Sequence, residues 1–197
     1  MRRGKGATRV RRSGKLTAPA KAEIHPGPAV HFEIVHEFDI PLDALELAVI
    51  SPNLCQKLGH RLPNMESIQQ KEHVLKDDRL ERVWSYRANM RLPAFARAYV
   101  TPEMMAWDER SIYDIKKHSS EWTISPRVKP EWRKYFAGAG SYTLSALDSG
   151  RTKRTVTGTV ELRVPVLRQV AEKLIVGEVN KVFDAEAETL RELATLV

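Results

Sequence analysis

Cysteine is almost absent from this chain of 197 residues, which contains a single one, Cys55. One cysteine cannot form an internal disulfide, so the sequence excludes the class of small secreted domains that disulfides hold together. The chain also lacks an apolar run near the ~18–20 residues that a bilayer requires, and its N-terminus lacks the apolar core of a secretory signal. We therefore expect a soluble, cytoplasmic protein.

Acidic residues are missing from residues 1–21, which contain eight basic ones. The eight are Arg2, Arg3, Lys5, Arg9, Arg11, Arg12, Lys15 and Lys21. The remainder has 24 basic and 25 acidic residues, so the net charge of +7 belongs to the N-terminal arm. Residues 1–29 carry little large apolar content and end in His25-Pro26-Gly27-Pro28. They predict a disordered arm with a Pro-rich linker, followed by a folded domain at residues 30–197.

The basic arm has three interpretations. It is a solvated extension, or its cations attract either anionic lipid head groups or nucleic-acid phosphates. Because the remainder of the chain is nearly neutral, nucleic acid is not an expected partner of the folded domain. Peripheral contact of residues 1–21 with an anionic membrane is the partner prediction that we retain.

Familiar catalytic and cofactor motifs are also absent. The sequence contains no Gly-rich phosphate loop, no CxxC, no HExxH and no GxSxG. His31-Phe32-Glu33 matches the first half of a zinc deaminase signature, but the Pro-Cys-x-x-Cys half is missing. The sequence therefore predicts no cofactor, no metal site and no assigned catalytic residue.

Alternating apolar and polar residues predict strands along most of the remaining chain. The predicted strands cover residues 30–39, 65–76, 79–91, 105–117, 120–128, 140–147 and 152–164. Two short helices are predicted near Pro41–Ile50 and Leu54–Gly59, and a helix of about thirty residues follows Pro165. At ~1.5 Å per residue the last helix crosses a whole domain, so we expect it to lie along a curved sheet.

Three segments carry a family resemblance. Phe38-Asp39-Ile40-Pro41 through Ser51-Pro52 resembles the strand-to-helix entry of the START-like superfamily, also called SRPBCC. Thr155–Glu172, with Gly158 and Val164-Pro165, resembles a bacterial branch described as a domain of unknown function, as does the stretch from Leu92-Pro93 to Trp107. The resemblance covers residues 30–195.

The resemblance implies an α+β helix-grip fold. A curved seven-stranded antiparallel sheet would wrap around the long C-terminal helix, with two short helices after the first strand and an apolar cavity between sheet and helix. Members of the superfamily bind sterols, phospholipids, polyketides or plant hormones, and some are cyclases or aromatases. In this frame, residues 92–105 are either a gate over the cavity mouth or a crossover packed on the sheet.

Polar residues on otherwise apolar faces are the candidate ligand contacts. Glu178 is the sharpest case, because four-residue steps put it between Leu174 and Val182 in the apolar stripe of the last helix. A buried carboxylate needs a partner, which Arg82, Tyr86 or His36 could supply; the alternative is that these groups are satisfied core pairs. The predicted cavity lining is His36, Arg82, Trp84, Tyr86, Trp107, Glu109, Tyr113, Leu174, Glu178 and Val182.

Three function classes follow from this lining. The favoured one is a soluble binder or carrier of an apolar small molecule or lipid with one polar end. The runner-up is a cyclase- or aromatase-type enzyme, with His36, Glu109, Tyr113 and Glu178 as its acid and base candidates. The third is an interaction module with a filled interior and an exposed apolar patch.

Overall fold

A computed structural model describes residues 29–89, 102–128, 130, 133, 136–148, 150–162 and 168–196. Side chains are described for these residues except 102, 104, 148, 162 and 168–175. The predicted arm with its membrane contact, most of the predicted gate and the side chain of Leu174 therefore lie outside the described residues. Ala29, which we assigned to the linker, already belongs to the first strand.

Within the described residues, seven strands form one antiparallel sheet in the order β1-β7-β6-β5-β4-β3-β2. Their bounds are β1 Ala29–Phe38, β2 Met65–Lys76, β3 Arg79–Ala88, β4 Ala106–Asp114, β5 Ser119–Pro126, β6 Phe136–Asp148 and β7 Arg151–Leu162. The β2–β3 hairpin turns at Asp77, whose φ of 53° is left-handed. All seven predicted strands are present, because alternation of apolar side chains marks a sheet with one buried face. Their ends differ from the prediction: β4 ends at Asp114 instead of residue 117, and β6 begins at Phe136 instead of residue 140.

Three α-helices accompany the sheet in the described part of the chain. They are α1 Leu42–Ile50, α2 Leu54–Gly59 and α3 Arg168–Ala194, and a short 3₁₀ turn at Pro102–Met105 precedes β4. None of the described helices has both the length and the apolar character needed to cross a membrane. The curved sheet, the two short helices and the long C-terminal helix confirm the predicted helix-grip fold.

The C-terminal half of α3 is fixed to the body of the protein by apolar packing. Its Ala187, Leu190 and Leu193 belong to the same buried cluster as Leu45 of α1 and Leu58 of α2. Burying a leucine side chain contributes about 1.5–3 kcal/mol. This packing holds α3 against the inner face of the sheet, where the predicted site lies.

Two glycines make room for an aromatic group on the inner face. A Cβ at Gly140 would lie 2.3 Å from Trp122, and one at Gly158 would lie 2.5 Å from Phe32. The rings of Trp122 and Phe32 stack with centroids 6.2 Å apart, and both lie beside Phe183 of α3. The absence of two side chains from β6 and β7 therefore lets these rings lie against the sheet.

Replacing Gly177 with alanine should stabilise the protein by about 0.5–1 kcal/mol, because glycine is a poor helix former. Gly177 lies within α3, and a Cβ there would meet nothing within 4 Å. Thermal or urea unfolding measures the change. Gly150→Ala is the matched control, since its φ of +102° should make alanine destabilising in equally open space. A loss of stability in Gly177→Ala would contradict the position of Gly177 in the helix with open space around its Cα.

Candidate ligand-binding site

Five polar residues meet on the inner face of the sheet and the facing side of α3. We call Arg82, Tyr86, Glu109, Arg154 and Glu186 the buried polar cluster. Arg82 and Tyr86 take alternate inward positions on β3, and Glu109 of β4 lies opposite Trp84 of β3. Arg154 points inward from β7, and Glu186 faces it from α3. These side chains come together because each is at an inward position of its strand, β3, β4 or β7, or on the side of α3 that faces the sheet.

Arg154 is the most deeply buried charge of the cluster, with 1% of the residue exposed. Its Nη2 donates to Oε2 of Glu186. The guanidinium also lies over the ring of Tyr142, 4.6 Å from the centroid, and 5.6 Å from that of Phe183. Its Nε and Nη1 are buried without a hydrogen-bond partner within the described residues. One ion pair and two aromatic faces therefore hold a guanidinium that keeps two free donors.

Arg82 is buried in the same way but is better satisfied. Its Nε donates to Oγ of Ser111 at 3.3 Å, and its Nη1 donates to the carbonyl oxygen of Val49 at 3.1 Å. The guanidinium lies 4.8 Å from the ring centroid of Trp84. The indole N–H groups of Trp84 and Trp122 are buried, and neither has an acceptor in the described part of the chain. The inner face thus holds unsatisfied donors beside its aromatic rings.

Glu109 is the carboxyl group with the most perturbed ionisation. Burial raises the pKa of Glu109 from 4.5 to about 7, and the negative charge of Glu186 adds to the shift. The charges of Arg82 and Arg154 and a hydrogen bond with Tyr86 oppose it. Burial, followed by the charge of Glu109, also raises the pKa of the Tyr86 hydroxyl. Near neutral pH, Glu109 can therefore release or accept a proton, which suits acid–base chemistry as well as ligand binding.

Glu109→Gln should remove a pH dependence of stability. With a pKa of about 7 in the folded protein and 4.5 as its ordinary value, Glu109 keeps a proton on folding that the unfolded chain has lost. The stability that Glu109 contributes in this way is fully present below about pH 4.5 and is lost as the pH rises through 7. Relative to the native protein, the variant should therefore gain about 2–3 kcal/mol between pH 4 and pH 8. Urea unfolding at both pH values measures this gain.

Glu121→Gln provides the matched control for this pH dependence. Glu121 is exposed on the outer face of β5, where it pairs in register with Ile112. Its substitution should change stability by the same amount at both pH values. If Glu109→Gln behaves like this control, the raised pKa of Glu109 is contradicted.

Of the predicted lining, Arg82, Trp84, Tyr86 and Glu109 meet on the inner face. Trp107 extends this group, because its ring stacks on Tyr86 with centroids 5.2 Å apart and planes 8° apart. These residues follow one another across paired positions of β3 and β4, which explains why the alternation in the sequence could identify them.

Tyr113 is buried on the same face, but its hydroxyl makes a different contact. It donates to Oε1 of Glu46 at 2.5 Å, and Nδ1 of His118 lies 2.9 Å from the same oxygen. Its ring stacks on Tyr142. The Tyr113 hydroxyl therefore already donates its hydrogen bond to Glu46 of α1, and that carboxylate also contacts His118 in the β4–β5 turn.

His36 and Val182 border the cluster. His36 pairs in register with Arg154, and its Nε2 lies 3.0 Å from Oδ1 of Asp184. Val182 is partly buried and packs against the core. Both residues lie where β1 meets α3, beside the buried polar cluster, and their contact with a ligand stays a prediction.

The predicted partners of Glu178 are wrong. Its carboxylate accepts from Nζ of Lys181 at 2.7 Å and from Nδ2 of Asn64 at 3.3 Å, and a quarter of its side chain is exposed. Neither Arg82, Tyr86 nor His36 contacts it. Each four-residue step overshoots one helical turn by about 40°, so a stripe followed in such steps drifts around the helix. Glu178 therefore lies beside α3's buried stripe rather than at its centre.

Arg154 and Glu186 are the residues that the sequence analysis missed. Both carried a usable signal. Arg154 extends the inward alternation of Val156, Gly158 and Val160 by one step, and Glu186 lies four residues from both Val182 and Leu190. A buried charge at an inward position of each element indicates an ion pair between them.

A hollow of about 630 Å³ lies where β1, β7 and β6 are paired, and it shares Phe32, Gly140 and Gly158 with the aromatic group described above. It is lined by His31, Phe32, Glu33, Ala139, Gly140, Thr157, Gly158 and Thr159. It is open to solvent and contains none of the predicted lining residues. Elsewhere in the described ranges, no three His, Cys, Asp or Glu side chains converge as metal ligands would.

The curved seven-stranded sheet with α3 along its inner face is a helix-grip fold. A family model with the description "Protein of unknown function (DUF2505)" matches residues 33–193, so the chain belongs to that family. No protein of curated function matches the chain by sequence.

Solved structures with the same fold are similar over nearly their whole length. The aromatase/cyclase Zhui from a Streptomyces species has a TM-score of 0.58 and 13% identity, covering 85% of this chain and 94% of its own. Norcoclaurine synthase from Thalictrum flavum has a TM-score of 0.56 and 12% identity, covering 92% and 97%. TTHA0849 from Thermus thermophilus has a TM-score of 0.55 and 15% identity, covering 86% and 98%. At these identities the likeness concerns the fold.

Proposed function

We propose that this protein binds or carries an apolar small molecule or lipid between the sheet and α3, with the polar end of the ligand at the buried polar cluster. The observation that carries the proposal is the set of unsatisfied donors on the inner face. Leaving a donor buried without a partner costs about 1–3 kcal/mol, more when it is charged. A ligand acceptor would remove that cost at Arg154, Trp84 and Trp122.

The surroundings of these donors favour a largely apolar ligand. Trp122, Phe32 and Phe183 contact one another beneath α3, and Trp107 stacks on Tyr86 nearby. Ligand sites in proteins commonly combine such an aromatic lining with a few polar groups that fix orientation. A crystal structure of norcoclaurine synthase from Thalictrum flavum holds dopamine and hydroxybenzaldehyde, which supports small-molecule binding as a use of this fold.

Titration with the neutral fluorophore N-phenyl-1-naphthylamine tests the proposal. We expect saturable binding of one probe per chain, quenching of tryptophan fluorescence, and weaker binding in Phe183→Ala, which removes a ring between Trp122 and Arg154. The control is Thr157→Val, whose exposed side chain lies on the outer face of β7 and should leave binding unchanged. Absence of saturable binding, or loss of binding only in Thr157→Val, would overturn the proposal.

A second candidate function is an enzyme of the cyclase or aromatase kind. Glu109 supports it, because a carboxyl group with a raised pKa and a hydrogen bond with Tyr86 can both donate and accept a proton. Exchange of the acidic α-protons of 2-tetralone with deuterated water, followed by NMR, measures proton transfer without assuming a natural substrate. The enzyme hypothesis predicts exchange faster than in buffer and a fall of about 10²-fold or more in Glu109→Gln. Equal exchange with and without protein would reject it for this ketone class.

A further inference from the structure

The unsatisfied side-chain atoms of the protein interior are of one chemical kind. Within the described residues, the buried polar atoms without a partner are all nitrogens, in His36, His73, Trp84, Trp122 and Arg154. The indole and guanidinium nitrogens can only donate hydrogen bonds. No buried side-chain oxygen in the same part of the chain lacks a partner. Trp84, Trp122 and Arg154 therefore offer donors and need acceptors.

These donors border one region of the inner face. Arg82, Ser111 and Trp122 follow one another across β3, β4 and β5 in a single row of paired residues. The ring of Phe183 lies beside both Trp122, with centroids 6.2 Å apart, and the Arg154 guanidinium. Trp84 lies next in the alternation of β3, under the Arg82 guanidinium. Phe183 thus lies between the charged donors of Arg154 and the neutral donor of Trp122, and Trp84 extends this region along β3.

The charges of this region favour an anion. Two guanidinium groups, those of Arg82 and Arg154, face the carboxylates of Glu186 and Glu109. Glu109 is readily protonated, because its pKa is raised to about 7 and Glu186 repels its charge. With Glu109 neutral, the buried polar cluster carries one positive charge more than negative. An added oxyanion would balance that charge and accept from the free donors, whereas an added cation or a donor would do neither.

We propose that the ligand of this site is an apolar carboxylic acid, bound as the carboxylate to Arg154 and the indole N–H groups of Trp122 and Trp84. The inference rests on the proposed function and adds the chemical class of the polar end. A long-chain or aromatic acid satisfies both the apolar lining and the acceptor requirement. The corresponding alcohol brings a donor with its acceptor, and the corresponding amine brings only donors and a like charge.

Displacement of N-phenyl-1-naphthylamine by four twelve-carbon compounds tests this class. The probes are dodecanoate, methyl dodecanoate, dodecan-1-ol and dodecylamine, which share the apolar chain and differ at one end. At pH 7 dodecanoate should bind about 10-fold or more tightly than the alcohol and the amine, in line with hydrogen bonds to a charged acceptor. The methyl ester, an acceptor without charge, should lie between the acid and the amine.

Single-donor variants locate the carboxylate. Trp122→Phe and Trp84→Phe each remove one N–H while keeping a ring, and each should lower dodecanoate affinity about 3-fold or more without changing that of dodecan-1-ol by as much. Circular dichroism selects the folded variants, and either one alone suffices. The outer-face variant Thr157→Val should change neither affinity.

The outcomes separate the inference from the proposed function. If the acid, alcohol and amine bind alike, or if the amine binds best, while the fluorophore still binds, the carboxylate class is overturned and apolar binding stands. If the fluorophore and all four compounds fail to bind, both are overturned. If dodecanoate is preferred but neither indole variant reduces the preference, the assignment of the carboxylate to these donors is overturned.

Discussion

Replacing Arg154 with methionine should lower the free energy of unfolding by about 3–5 kcal/mol, because Glu186 is then buried without its partner. Arg154 is 1% exposed and Glu186 is 8% exposed, so water cannot solvate the remaining charge. Methionine keeps most of the volume of the side chain between Tyr142 and Phe183, which limits the loss from packing. Urea unfolding monitored by tryptophan fluorescence measures the change, since Trp122 lies in the same region.

The double variant Arg154→Met with Glu186→Met identifies the cause. If the loss comes from an uncompensated charge, removal of the carboxylate as well should recover most of the stability, since apolar replacement of a buried ion pair is often neutral. Lys181→Met is the control, because its pair with Glu178 is largely exposed and should be worth less than about 1 kcal/mol. A double variant as unstable as Arg154→Met would show that packing, not charge, determines the loss.

Gly140→Ala should cost about 3 kcal/mol or more, at the upper end of what overpacking a core costs. The added Cβ would lie 2.2 Å from the carbonyl oxygen of Thr157 and 2.3 Å from Cζ2 of Trp122. The first of these atoms belongs to the backbone of β7, which is paired on both sides and cannot move away alone. Denaturant unfolding, with the tryptophan emission of the native state as a second readout, measures the effect.

Gly138→Ala is the comparison that makes this result specific. Gly138 lies on the same strand and the same face, but its Cβ would lie 3.1 Å from the terminal Cδ1 of Ile124, which a rotation can move. Its cost should stay below about 1 kcal/mol. Similar costs at Gly138 and Gly140 would contradict the close approach of Trp122 to β6.

The strands and helices were predictable because the sheet has one buried face. Strict alternation in β3 and β7 shows the inward side chains directly, and Asp77-Asp78 marks the hairpin between β2 and β3. The predicted third strand extended to Arg91, but β3 ends at Ala88 and Asn89 already lies outside the strand; residues 90 and 91 are not among the described residues. The family resemblance implied a seven-stranded antiparallel sheet, but the neighbours within the sheet come from the structure, since alternation in the sequence does not say which strands pair.

The site was predictable only as far as alternation reached. Arg82, Trp84, Tyr86 and Glu109 follow from period 2 on two strands. Glu186 lies two four-residue steps beyond Glu178, and its burial beside Ala187 and Leu190 depends on the packing of α3 against the rest of the protein. The commitment of Tyr113 to Glu46 depends on contact between elements far apart in sequence, and no local pattern encodes it.

The pairing of β1 with β7 determines when this protein can fold during synthesis. Phe38 pairs with Thr152, and Ala29 pairs with Glu161. The first strand to be synthesised therefore cannot form its hydrogen bonds until the last strand has been synthesised. Ribosomes add ~5–20 residues per second, so the intervening ~110–130 residues take roughly 6–25 s. Helices α1 and α2 pack against α3, which is synthesised after β7, so their packing is completed even later. Until then their apolar faces remain uncovered, so we expect that chains ending before residue 168 aggregate or depend on chaperones.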